Sequence, residues 1–173
     1  MKNIPLHWTY GLLTGAVVVA WMLFEFLMGW HSTSTGATTS LVWVLFFLVG
    51  LALAIRNTRD TVLKGFIDVK LGMLIGLQFA LIVGVVSGLG TFFYYQFINP
   101  NFAIFWAQKS EAAMLATHTA PALITETKQN ILATFTPIKQ ATQRLLFCIL
   151  GGAFGSVVLS LLLKNTSNLD TSN

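Results

Sequence analysis

The chain has 173 residues, 55% of them hydrophobic and only 9% charged, with a formal net charge of +4. Soluble domains carry about 25% charged residues, so these side chains cannot cover a water-facing surface, and the mean hydropathy of +0.73 agrees. The basic residues punctuate loops beside long charge-free blocks and form no stripe on a folded face, which excludes nucleic acid as a partner. What remains is an all-α integral membrane bundle whose first partner is the lipid bilayer.

Four spans are expected, within one transmembrane domain over residues 1–164. The first runs from Tyr10 to Trp30. Its 21 residues exceed a secretory signal core of roughly 7–15, and His31–Ala37 offers a poor cleavage site, so it reads as a retained helix. The second is centred on Leu41–Ile55 and needs residues 38–57 to reach the roughly 20 residues of a span. The third covers 71–95 and the fourth 145–163. Trp8, Tyr10, Trp30, Trp43 and the run Phe92–Tyr95 stand where interfacial aromatic belts are expected.

The link between spans two and three holds Arg56, Arg59, Lys64 and Lys70, whereas the link from His31 to Ser40 holds no charge. The positive-inside rule then places both termini in the cytoplasm. Lys139 and Arg144 oppose this from the extracytoplasmic segment 96–144. That segment is too polar to span. Asn99-Pro100 reads as a helix start, with Asn capping and Pro at the first helical position. Phe102, Phe105, Trp106, Ala113 and Ala116 form one apolar stripe. Pro121 and Thr136-Pro137 punctuate again, around a second stripe of Ile124, Ile131, Leu132, Phe135 and Ile138. One or two amphipathic helices at the interface or over the bundle are expected. The polar tail 165–173 reads as disordered.

The most regular pattern lies in span three, where Gly72, Gly76, Ala80, Gly84 and Gly88 repeat at spacing four. Small residues at that spacing let helices approach backbone to backbone in lipid, where no hydrophobic drive operates between them. Span four offers Gly151/Gly155 and Gly152/Ser156/Ser160 as counterparts, and span one offers Gly11/Gly15. Tight packing is one reading of the ridge; a moving or pore-lining helix is the other.

Glu25 is the one acidic residue inside an expected span. An intramembrane carboxyl faces a cavity, a partner or the interface, and desolvation favours its neutral form. It lies five positions before Trp30, about 7.5 Å at helical rise, so two readings stand: a proton or cation site, or an interfacial structural residue. His31 could pair with it only if the helix unwinds there. Gln78 needs an interhelical partner, and His7 and His118 read as an isolated interface residue and a loop residue. Arg56, Arg59 and Lys64, with Asp60, either contact anionic lipid headgroups or fix topology. Cys148, a single cysteine, cannot form an intrachain disulfide and supplies no metal set. No metal, cofactor or catalytic motif is expected.

Tyr10-Gly11, Glu25-Phe-Leu-Met-Gly29-Trp-His31, Ala54-Ile-Arg56 with Arg59-Asp60, Gly65-Phe66-Ile67 and, most distinctive, Tyr94-Tyr95-Gln-Phe-Ile-Asn-Pro100-Asn-Phe102 carry a resemblance over most of the chain. It resembles the four-span bacterial membrane proteins called domain of unknown function 4199, typical of Bacteroidota, although the segment after Phe102 is less acidic here. The resemblance implies an inner-membrane bundle and no mechanism. The leading expectation is a non-enzymatic structural or accessory component with a membrane partner or as a homo-oligomer. The rival is a small proton-coupled transporter or channel acting as an oligomer, since four spans with a Glu in the first also resemble the small multidrug exporters. A lipid-acting enzyme would need Glu25, His31 and His118 to converge.

Overall fold

A computed structural model describes residues 4–30, 39 and 41–164. The expectations for His31, for the link before Thr39 and for the tail 165–173 lie outside the described residues. Among the described residues the longer α-helices are, in order, α1 (Leu6–Leu27), α2 (Val42–Asn57), α3 (Val69–Phe93), α4 (Phe102–Ala116), α5 (Pro121–Thr134) and α6 (Pro137–Leu163). Wide turns, Thr58–Val62 and Tyr94–Ile98, follow α2 and α3. The stretches Leu6–Leu27, Val42–Val62, Val69–Ile98 and Pro137–Leu163 are long and apolar enough to cross a membrane. The protein is therefore a helical membrane protein with four spans.

Local chemistry sets the helix ends. Pro5 has no N–H to leave unsatisfied, and its carbonyl accepts from Trp8 N at 2.9 Å, so α1 begins four residues before Tyr10. Gly29 ends it at φ +68°, a conformation that suits glycine at a helix C-terminus. Asp68 caps α3, its Oδ1 accepting from Leu71 N at 2.7 Å. Asn99 does not cap a helix: its φ of −133° and ψ of 60° are non-helical, and α4 starts at Phe102, behind Asn101. Pro137 does open a helix, and that helix continues without a break to Leu163, so the fourth span has an eight-residue lead-in.

The chain divides into two compact units, Met1–Ser87 with Leu145–Asn173, and Gly88–Arg144. In the first, neighbouring residues show how the helices run. Tyr10 meets Asn57, and the Trp21 ring lies 5.6 Å from Phe46, so α1 and α2 are antiparallel. Gly11 lies against Ile82 and Gly15 against Val86, so α1 and α3 are parallel. Gly151 faces Phe47 and Gly155 faces Leu51, aligning α6 with α2. The core gathers Phe47, Leu51, Ala54, Ile55, Phe79, Val83 and Cys148, all buried. Around it the spans turn Leu13, Val49, Leu74, Phe154 and Leu162 outward, the last 76% exposed. An apolar outside around a packed inside is the arrangement lipid favours.

The second unit is organised by aromatic rings. Tyr94 is fully buried and its hydroxyl accepts from Asn99 Nδ2 at 3.0 Å. The backbone closes the same corner through Asn99 N to Tyr94 O at 2.8 Å, an i to i+5 bond. Phe102 lies 5.4 Å from the Tyr95 ring, 6.4 Å from Trp106 and 5.7 Å from Phe135. Lys128 bonds Glu111 at 2.6 Å across the α4–α5 hairpin. Neither expected stripe is kept whole. The Phe102 cluster engages the first turns of α4 and leaves Ala113 and Ala116 exposed. Ile124 is buried, whereas Leu132 and Ile138 are exposed, because α5 ends at Thr134 and Ile138 already belongs to α6.

Candidate functional site

The buried residues of α1 are Gly11, Thr14, Gly15, Val18, Met22 and Glu25. Steps of three and four place them along one inward seam. The seam begins with glycines against α3, passes Thr14 against Gly50 of α2, and ends on a carboxyl group. Glu25 is 5% exposed, and its Oε1 has no hydrogen-bond partner among the described residues. A buried polar group without a partner costs about 1–3 kcal/mol, and an unpaired charge costs more. Among the described residues, the Oε1 of Glu25 therefore carries a burial cost that no hydrogen bond offsets.

One turn before it stands Trp21, on the same helical face. Its indole Nε1 donates to Thr39 O at 3.2 Å. The Trp21 ring lies 5.5 Å from Phe24 and 6.4 Å from Trp30, and Phe24 lies 5.6 Å from Trp30. With Phe46, 5.6 Å away, the rings gather around Trp21, one helical turn before Glu25. His31 lies outside the described residues, and His118 is exposed at φ +53° in the α4–α5 turn.

The spacing-four series of α3 faces α6 in a regular antiparallel register. A Cβ built on Gly72 would fall 2.1 Å from Ser160 Oγ, and one on Gly76 would fall 2.3 Å from Ser156 Cβ. One on Gly152 would fall 2.1 Å from the Ala80 Cβ, and one on Gly84 would lie 3.2 Å from the Cys148 Cβ. Of the two series in span four, Gly152, Ser156 and Ser160 meet α3, whereas Gly151 and Gly155 face α2. Gly88, also buried, opens the second unit. The α3–α6 contact leaves no room for any side chain at Gly72, Gly76 or Gly152.

At the other end of the bundle, Arg59 Nη1 donates to Leu163 O at 3.2 Å, satisfying a carbonyl that the end of α6 leaves open. Arg59 Nε also reaches Asp60 Oδ1 at 2.6 Å, with Arg56 Nε 3.7 Å from Asp60 Oδ2. Lys64, exposed at φ +54°, turns the chain with Gly65 at φ +90°. Gln78 has its interhelical partners: His7 Nε2 donates to Gln78 Oε1 at 2.7 Å and Trp8 Nε1 donates to the same atom at 3.2 Å. His7 is therefore not the isolated interface residue of the sequence reading. A glutamine in a span signals that a partner is needed, but no spacing rule joins residues 71 positions apart.

No curated protein and no solved structure matches the chain. Residues 9–165 match the profile of the family described as Protein of unknown function (DUF4199), and the chain belongs to that family.

Proposed function

We propose that the protein is a non-enzymatic structural or accessory component of the bacterial inner membrane, N-in and C-in, which assembles with a membrane partner or with copies of itself. The α3–α6 contact supports this reading. Two helices locked at backbone distance over Gly72–Gly84 form a stiff unit, better suited to holding a neighbour than to opening. Orientation rests on the positive-inside rule: Arg56, Arg59, Lys64, Lys70 and Lys164 gather at one end. Since Arg59 is tied to Leu163 O, anionic headgroup contacts fall to Arg56, whose side chain is 66% exposed beside Asp60, and to Lys64. Native mass spectrometry from nanodiscs tests the assembly; a strict monomer with no co-purifying partner would contradict it.

Glu25 supports a second reading, a small proton-coupled transporter or channel acting as an oligomer. A carboxyl with an unpartnered oxygen at 5% exposure inside a span is a group that can take up and release a proton. Proton flux into liposomes, measured for the wild type and for Glu25→Gln, tests it; equal flux from the two proteins would remove this reading.

A further inference from the structure

We infer that the tip of the α4–α5 hairpin, residues 112–125, is a wedge that inserts into the membrane leaflet from which its own chain emerges. The turn after α2 carries Arg59, Asp60 and Lys64, as a water-facing connection does. Residues 112–125 hold no Asp, Glu, Lys or Arg. Their apolar side chains nevertheless point outward: Leu115 is 59% and Leu123 50% exposed, and Ala112, Ala116 and Ala122 are exposed with them.

A polar group taken from water into lipid needs a partner within the protein, and the tip supplies these from its own residues. Thr117 Oγ1 donates to Met114 O at 3.0 Å, and the Thr119 hydroxyl lies 3.0 Å from Thr117 Oγ1. Thr125 Oγ1 donates to Pro121 O at 3.0 Å. The backbone follows the same rule. Thr119 N donates to Met114 O at 3.0 Å and His118 N to Leu115 O at 3.1 Å, which closes the end of α4. Pro121, opening α5, has no N–H to satisfy, and Leu123 N and Ile124 N both donate to Ala120 O.

Behind the tip the charges return as a collar of Lys109 and Glu111 on α4 and Glu126 and Lys128 on α5, tied by the Lys128–Glu111 bond at 2.6 Å. Glu111 lies five positions before Ala116, and Pro121 five before Glu126, about 7.5 Å at helical rise. Interfacial helices bury their apolar side to a similar depth, about 5–10 Å, and leave their charges among the headgroups. The leaflet is fixed by chain continuity. α3 and α6 are consecutive spans, so the segment between them leaves and re-enters the membrane through one face. α4 has 15 residues, about 22 Å, which keeps that face within reach of the tip. Four basic residues against two acidic ones in 88–144 favour anionic headgroups there.

The test uses spin labels on the full chain in nanodiscs of phosphatidylethanolamine and phosphatidylglycerol. Cys148→Ser serves as the background, since serine keeps a polar contact for Ser87. Labels at Leu115→Cys and Leu123→Cys should collide more with oxygen than with a water-soluble nickel chelate, and a label at Glu126→Cys should show the reverse. Adding Leu115→Asp to the Leu123→Cys protein should abolish its oxygen preference at unchanged melting temperature, because Leu115 is exposed; persistence of that preference would contradict the wedge. If this variant does not fold, the comparison of the three labels decides alone. Nickel-chelate preference at both leucine positions would put the tip in water and overturn the inference. Low collision rates with both reagents would mean that protein, such as a second copy of the chain, covers the tip, and would overturn it as well.

Discussion

Ser156 packs directly on Gly76: a Cβ added to that glycine would lie 2.3 Å from the Ser156 Cβ, well inside any real contact. The same register puts Ser160 on Gly72 and Ala80 on Gly152. Gly76→Ala should therefore cost about 1–3 kcal/mol, the usual penalty for overpacking a filled contact. Gly84→Ala should cost less, because its nearest neighbour is the mobile end of Leu145 at 2.7 Å. Gly151→Ala, with nothing nearer than 3.7 Å, should be close to neutral. Adding Ser156→Gly to Gly76→Ala should recover much of the loss. Denaturation in mixed micelles gives the ranking, and equal midpoints for all three single variants would contradict this packing.

The four spans were legible because hydropathy and charge segregation follow from the solvent. The small-residue ridge of α3 was visible for a related reason, since spacing four is a property of one helix. Which series of α6 it would meet was not visible. Gly151/Gly155 and Gly152/Ser156 differ by one position, or about a 100° rotation of the helix, and only the packing of α2 against the other side of α6 decides between them. The α1 start was missed although Pro5 signals it, and the α3 start was missed although Asp68 is a capping residue. Asn99 looked like a cap and proved to be a corner residue, because its amide is engaged by Tyr94. For Glu25, the sequence supplied the residue and its depth. Its inward direction came from the seam it shares with Gly11, Thr14 and Met22.

Gln78 joins the start of α1 to α3 through two donors on one oxygen. Gln78→Leu would leave His7 Nε2 and Trp8 Nε1 without their acceptor. Side-chain hydrogen bonds between membrane helices average about 0.6 kcal/mol and reach about 1.7, so a loss in that range is expected. Trp8 fluorescence in a variant lacking the other tryptophans would report the released indole, and an unchanged spectrum would argue against the bond.

Arg59 ties the turn after α2 to the last carbonyl of α6. Arg59→Ala should loosen the final turn of α6, read as faster amide hydrogen exchange near Leu159–Leu163, with little change in α1. Arg59→Lys should correct this only in part, since one ammonium cannot reproduce the guanidinium fork. The Glu111–Lys128 pair makes a useful control. Both side chains are more than a third exposed, so breaking it should cost at most about 1 kcal/mol.

The Tyr94–Asn99 corner gives a physical reason for the most distinctive part of the sequence. Tyr94→Phe removes the hydroxyl that accepts from Asn99 Nδ2 and should cost about 0.5–1.5 kcal/mol. Phe102→Ala removes the ring shared by Tyr95, Trp106 and Phe135 and should cost more, about 3–5 kcal/mol for a filled site and less where the ring is half-exposed. Hydrogen exchange confined to residues 88–144 would show the effect, and a Tyr94→Phe variant unchanged there would contradict the role given to the hydroxyl.

The most direct test of the functional account is infrared difference spectroscopy of the carboxyl band in nanodiscs, comparing wild type with Glu25→Gln. The account predicts that the substitution removes a carboxyl signal at the frequency of a group screened from water, as its 5% exposure requires. Identical spectra in that region, with Glu25 contributing only the signal of a hydrated carboxylate, would contradict its burial and with it every role proposed for this residue.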